Sequence, residues 1–375
     1  MIRSLAILAC LLTVCITGAS AFIRHAQSGP GCDGQPGCLQ PMHERSAGSA
    51  GTTAAGAHQP RAGDAAFVAA KPPRAVIVAR TLHRVSASVV GLLAIGLLVF
   101  GWNGLPRSGR VAALVALLIS AFLAWLGRYT PHPLPWVTIG NVGGGFALAA
   151  AFACVAACRG PAVANTPDAE GAPRARPDGD REPTRVSARS RHEQRRTSTR
   201  TQPAGLAIAA GALLAALLWL GLMIGARDAI PACPTLLCLD GARFDPSAFD
   251  PAVAQASASP GSGQALHLAH RFIALAFALV VSWLAWRLRL EGRRALGVLL
   301  VAMLAAQIAL GLATAGSVGA LASATLHNVV AALWAAVLAA LATSSLQPGV
   351  DEARAVRLDA RATARRPDPG STGCA

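Results

Sequence analysis

Charge is what this chain has least of. Asp, Glu, Lys and Arg make up 14% of its 375 residues, against about 25% in soluble domains, and the shortfall is gathered in long charge-free windows. That excludes a water-soluble globule. Aromatic residues are also few, at 5%, so the basic residues lack interleaved rings on which bases would stack. Strict apolar–polar alternation is absent too, and an outer-membrane barrel would carry it in segments of about 10 residues. What is there is apolar: 53% of residues are hydrophobic and the mean hydropathy is +0.47. The fold class expected is all-α, a polytopic membrane protein. Its formal charge of +15 comes from Arg beside apolar spans, where topological sorting puts it. Membrane lipid is the partner this implies, and no nucleic acid is expected.

A span needs roughly 20 apolar residues to cross a hydrocarbon core of about 30 Å. Eight candidates lie near 4–22, 85–102, 111–127, 134–158, 204–225, 271–287, 295–315 and 320–342. The last two share one charge-free run from Ala295 to Val350, with Gly316, Ser317 and Gly319 offering a turn. Lys and Arg counted loop by loop set the orientation. Arg107 and Arg110 fall in loop 2, ten Arg in loop 4, Arg287, Arg289, Arg293 and Arg294 in loop 6, and the tail is again Arg-rich. The even loops and both termini are therefore expected in the cytoplasm of a bacterial-type inner membrane, with the odd loops outside. Met1-Ile2-Arg3 before the first apolar run, with Ala19-Ser20-Ala21 after it, also fits a cleavable secretory signal. Cleavage would leave seven spans with the later loops facing as before.

Residues 159–203, rich in Pro, Arg, Ser, Thr and Asp, read as a disordered basic cytoplasmic linker. It separates an N-terminal four-helix half, 1–158, from a C-terminal one, 204–345, and a polar tail fills 346–375. The same order of features recurs on both sides of the linker: a span, a loop with a cysteine pair, a span opening with His-Arg, and two further spans. The first half has Cys32…Cys38 and His83-Arg84, the second Cys233…Cys238 and His270-Arg271. His327 follows His270 by 57 positions, and the same step from His83 lands on Gly140, after which Asn141-Val142 matches Asn328-Val329. The repeat asks for a histidine at 140 and finds none.

The two cysteine pairs, in loops expected outside, point to an oxidising compartment. Gly and Pro between them make close approach feasible, so each pair reads as a disulfide, with free thiols as the alternative. Cys10, Cys15, Cys154 and Cys158 read as small apolar residues within spans. Ionisable groups inside spans are costly and mostly functional, which singles out His83, His270 and His327 at one expected depth. His270 and His327, on facing helices of one four-helix unit, suit a haem with two axial imidazoles. A plain interhelical hydrogen bond is the competing role for any one of them. Arg84 and Arg271 suit haem propionates, or ordinary snorkelling to the headgroups. His267 is an alternative ligand, a gate at the haem edge or an interfacial residue, and Gln307 can hydrogen-bond within the bundle.

These residues, in this order, resemble the haem A synthase family, the Cox15/CtaA type of membrane enzyme. The resemblance rests on Ser28-Gly29-Pro30-Gly31-Cys32 with Cys38, Leu82-His83-Arg84, Leu126-Gly127, and the run from Ile139 to Phe146 in the first half. It continues through Ala232-Cys233-Pro234 with Cys238, His267 with His270-Arg271, Gln307 to Gly311, and Leu326-His327-Asn328. It implies two pseudo-repeated four-helix bundles, the second holding a haem b cofactor on His270 and His327. The first would receive haem O as substrate at His83, near a Cys32/Cys38 disulfide. Successive oxidation of a ring methyl would then give the formyl group of haem A for cytochrome oxidase assembly. Haem O synthase, an electron donor that the residues do not identify and a homo-oligomeric copy complete the implied partners. Two places depart from the family pattern: Gly140 or Asn141 stands where a histidine is usual, and Arg80 where a glutamate is usual.

Two readings follow. One is an oxidoreductase, a haem A synthase, favoured by the retained His83, Cys32 and Cys38. The other is a non-enzymatic b-type cytochrome or haem carrier with a degenerate N-terminal half, favoured by Gly140 and Arg80. A transporter built from repeats would show broken helices and charged midplane residues, and neither is found.

Overall fold

The computed structural model describes residues 1–28, 73–129, 135–158, 184–227, 229, 232–233, 246–250, 260–316 and 320–347. Apolar side chains over a full bilayer thickness leave the backbone no outside partner, so it must bond to itself, and the α-helix does this within one segment. Eight helices result: α1 (Ile2–Ser28), α2 (Arg74–Gly101), α3 (Arg107–Leu126), α4 (Pro135–Ala157), α5 (Thr184–Ala226), α6 (Pro260–Leu290), α7 (Arg294–Ala315) and α8 (Ala320–Leu346). Each is long and apolar enough to cross a membrane, and among the described residues there is no strand. The all-α polytopic expectation therefore stands.

Local sequence explains the ends. Pro73 and Pro106 precede α2 and α3, and α4 and α6 open on Pro135 and Pro260, where a missing N–H costs nothing and φ is already helical. At the far end of α6 the chain turns through Gly292, at φ 79°. Gly292 N–H donates to Arg289 O (3.1 Å) and Arg293 N–H to Leu288 O (2.8 Å), the paired bonds of a Schellman cap. Between α7 and α8, Thr314 Oγ1 donates to Ser323 Oγ at 3.2 Å.

Two helices run further than hydropathy suggests. α6 starts at Pro260 rather than near 271, which places His270 well inside it. α5 starts at Thr184, inside the stretch expected to be a disordered linker, and continues through Pro203 into the membrane span. Residues 184–202 contain neither Gly nor Pro, so no residue within that stretch breaks a helix, and Pro203 marks its junction with the membrane span.

The packing is cyclic and doubled. α1, α2, α3 and α4 form one closed ring of contacts, and α5, α6, α7 and α8 form another. The rings meet through α4 against α8, α1 against α8 and α4 against α5. Exchanging each helix with the one four places along maps this contact pattern onto itself. Burial repeats as well, at a constant offset of 187 positions. Val76, Val90, Ala94 and Leu97 of α2 correspond to Gly263, Phe277, Val281 and Leu284 of α6, and all eight are buried. Ala113 of α3 pairs with Leu300 of α7, and Val137, Gly145 and Ala149 of α4 with Ala324, Ala332 and Ala336 of α8, again buried in both. Each ring has its own apolar core, and a third core joins the rings through Val142 and Phe146 of α4, Met223 of α5 and Ala332 of α8. In lipid such contacts gain little from the hydrophobic effect and depend on close packing, which the many small residues along α4 and α8 permit.

Candidate functional site

His270 lies on the buried stripe of α6, one heptad after Gly263 and one before Phe277, both of which are buried. His83 occupies the same place on α2, between Val76 and Val90. Spacing by seven keeps these residues on one face, yet both histidines are only half-buried. The ring interior is therefore not closed by apolar packing at the level of the histidines.

In the second ring, His270 is within electrostatic range of His327 and of His267. The His270 imidazole faces the backbone of Leu217 on α5, and its buried Nδ1 makes no well-formed hydrogen bond. His327, on α8, is met from α7 by Gln307, whose side-chain amide nitrogen lies 3.1 Å from Nε2 and 3.3 Å from Nδ1 of the imidazole. Both rings lie against glycine on a neighbouring helix. A Cβ placed on Gly221 of α5 would be 3.6 Å from His270 Cε1, and one on Gly311 of α7 would be 3.3 Å from His327 Cε1. One heptad below the two histidines, Phe277 and Trp334 form an edge-to-face pair with centroids 5.2 Å apart. Two imidazoles within electrostatic range of each other, above an aromatic pair, suit a planar iron macrocycle with two axial nitrogens. Among the described residues no group of three or more His, Cys, Asp or Glu side chains gathers as a metal cage.

His267 does not join this pair. Its Nε2–H donates to Ala229 O at 2.9 Å, which fixes the residue to the connection after α5. Gly263, one turn earlier, is pressed against that connection, since a Cβ there would meet Ala232 Cβ at 2.7 Å. Arg271, beside His270, is half-buried, and Arg84 is exposed. Cys233 is buried, 3% exposed, and disulfide-bonded; Cys32, Cys38 and Cys238 lie outside the described residues. Cys10, Cys15, Cys154 and Cys158 are free thiols.

The first ring is built differently at the same level. His83 is present, and Arg80 before it is exposed, pointing no charge inwards. At Gly140, a Cβ would lie 2.7 Å from Leu126 Cδ2 and 3.7 Å from Phe122 Cζ. Leu126 itself is fully buried.

Sequence reasoning passed over two buried polar residues at neighbouring helix ends. His25, at the end of α1, is 6% exposed, and Arg227, just after α5, is 5% exposed. Arg227 Nη2 donates to the carbonyls of Ser247 (2.9 Å) and Asp250 (2.5 Å), tying down the short turn Pro246–Phe249. An arginine at the end of an apolar span looks the same in sequence whether it snorkels outwards or folds back over a loop, so no signal distinguished it.

Residues 183–339 match the family COX15-CtaA, described as a cytochrome oxidase assembly protein. That stretch holds His267, His270, Gln307 and His327, while His83 and Gly140 precede it. No curated protein is detectably similar to the chain.

Proposed function

We propose that this chain is a haem A synthase, because residues 183–339 match the family COX15-CtaA, described as a cytochrome oxidase assembly protein. The reading is a membrane oxidoreductase that converts a ring methyl of haem O to the formyl group of haem A. One observation supports it above the others: His270 and His327 lie within electrostatic range of each other in the second ring, with His270 Nδ1 buried. These two imidazoles would hold haem b, which supplies one-electron transfer when bound. Gln307 would orient His327 through its second nitrogen, as outer-shell partners of metal-binding histidines do. Arg271 and Arg84 stand where propionates would emerge. His267 would hold the connection after α5 over the mouth of the site.

In this reading the first half, 1–158, takes haem O at His83, the second, 204–345, keeps the cofactor, and the tail 346–375 is cytoplasmic. Both termini would lie in the cytoplasm of a bacterial inner membrane and the cysteine loops outside, the orientation that the Arg-rich even loops favour. There Cys32 would pair with Cys38, and Cys233 with Cys238. Haem O synthase, an electron donor and the oxidase assembly line are the partners the reaction requires.

A second reading, a b-type cytochrome or haem carrier, draws on one feature: Leu126 and Phe122 stand where a fourth histidine would project. Haems extracted from the purified protein, made in cells that also produce haem O, separate the two by chromatography with mass detection. Haem A or its hydroxylated precursor beside haem B supports the synthase. Haem B alone, with haem O demonstrated in the same membranes, supports the cytochrome.

A further inference from the structure

The two rings correspond position by position at an offset of 187, and this locates what changed when one histidine was lost. His327 corresponds to Gly140. The two side chains nearest the Cβ of a residue at 140, Phe122 and Leu126, correspond to Ala309 and Ala313 in the second ring. A large residue became small on α4, and two small ones became large on α3. Interiors are packed to near-crystalline density, so a lost imidazole must be replaced by other atoms, and Leu126, with no exposed surface, supplies them. Asn141 offers no substitute. Its counterpart Asn328 turns its amide back onto its own helix, donating to Ala324 O at 2.8 Å.

Resting on the proposed binding of haem O in the first half, we infer that this site offers the substrate iron one imidazole, His83, and no second one, because Gly140 has no side chain and Leu126 packs against it. The substrate haem is then held on one side only. Its other axial position would then have no protein nitrogen and be open to a small diatomic ligand, whereas the second-half haem would have both positions taken by His270 and His327. The two haems of one chain would differ in spin state and in ligand reactivity for a reason located at Gly140 and Leu126.

Carbon monoxide, added to the dithionite-reduced full-length protein purified with its co-expressed haems, reads this directly. The wild type shows two haems per chain, of which one is high-spin and shifts its Soret band with carbon monoxide while the other is low-spin and does not respond. His83→Ala loses the responsive population and keeps the low-spin one, which also reports that the variant is folded. Gly140→His combined with Leu126→Ala turns the responsive haem low-spin and unresponsive, while Leu126→Ala alone leaves it responsive. Two haems per chain that are both low-spin and unresponsive in the wild type would overturn the inference and leave haem binding in the first half standing. A single low-spin haem per chain, with haem O present in the membranes, would overturn that reading and the inference with it.

Discussion

The ring of Phe277 meets that of Trp334 edge to face, at an interplanar angle of 84°, and each residue lies seven positions after a histidine of the second ring. The aromatic pair and the imidazole pair are thus successive layers of one bundle interior. Their first-half counterparts are Val90 and Ala147, so only the second ring has an aromatic layer under its histidines.

Trp334 is fully buried, and its Nε1–H has no hydrogen-bond partner. Truncation to Ala should cost about 3–5 kcal/mol through the cavity it leaves, seen as a lower melting temperature in detergent. Replacement by Phe removes a buried donor that costs about 1–3 kcal/mol when unsatisfied, so Trp334→Phe should melt at or above the wild type. A large loss of stability in the Phe variant would mean that the indole N–H has a partner after all.

Gln307 is expected to act on haem b through His327. Loss of such an outer partner lowers metal affinity by roughly 10–100-fold. Gln307→Leu should therefore release haem b to apomyoglobin faster than wild type and shift its midpoint potential, with the low-spin spectrum retained at full loading. Identical release rates and potentials would show that the amide only fills space.

The two glycines beside the imidazoles make unequal demands. At Gly221 a methyl group would make ordinary contact with His270, at 3.6 Å, whereas at Gly311 it would crowd His327, at 3.3 Å. Gly221→Ala should bind haem b normally, and Gly311→Leu should displace His327 and lose the low-spin spectrum. The reverse order of sensitivity would place the macrocycle on the other side of the histidines.

Cys233 is expected to pair with Cys238. Proteolysis without reduction, followed by mass spectrometry, should recover the two cysteines in one cross-linked fragment, and a link to Cys32 or Cys38 instead would tie the two halves together. For a loop this short the bond should contribute about 2 kcal/mol, lost in Cys233→Ser as a lower melting temperature.

Much of this was legible in the sequence, and the exceptions follow a rule. Eight apolar segments of bilayer length correspond to eight helices, because span length is a covalent property of the segment. The histidine register was legible because His83-Arg84 and His270-Arg271 open equivalent spans, and the step of 57 from His270 to His327 leads from His83 to Gly140. Features depending on a second segment were not. Hydropathy measures contact with lipid and not helix length, so the starts of α5 at Thr184 and α6 at Pro260 were missed. Arg227 was passed over because its partners, the carbonyls of Ser247 and Asp250, come from a loop without a motif. The vacancy at Gly140 could be counted from the repeat, but its filling by Leu126 is a fact about another helix.

The seam of α4 against α8 is the one contact between the rings that is its own image when the halves are exchanged. It is the geometry of a homodimer's dyad, preserved inside a single polypeptide. A true homodimer could not have lost one histidine without losing both copies of it. Within one polypeptide that restriction is absent: the second half carries two imidazoles, while the first has Gly140 in place of one, with Leu126 packed against it.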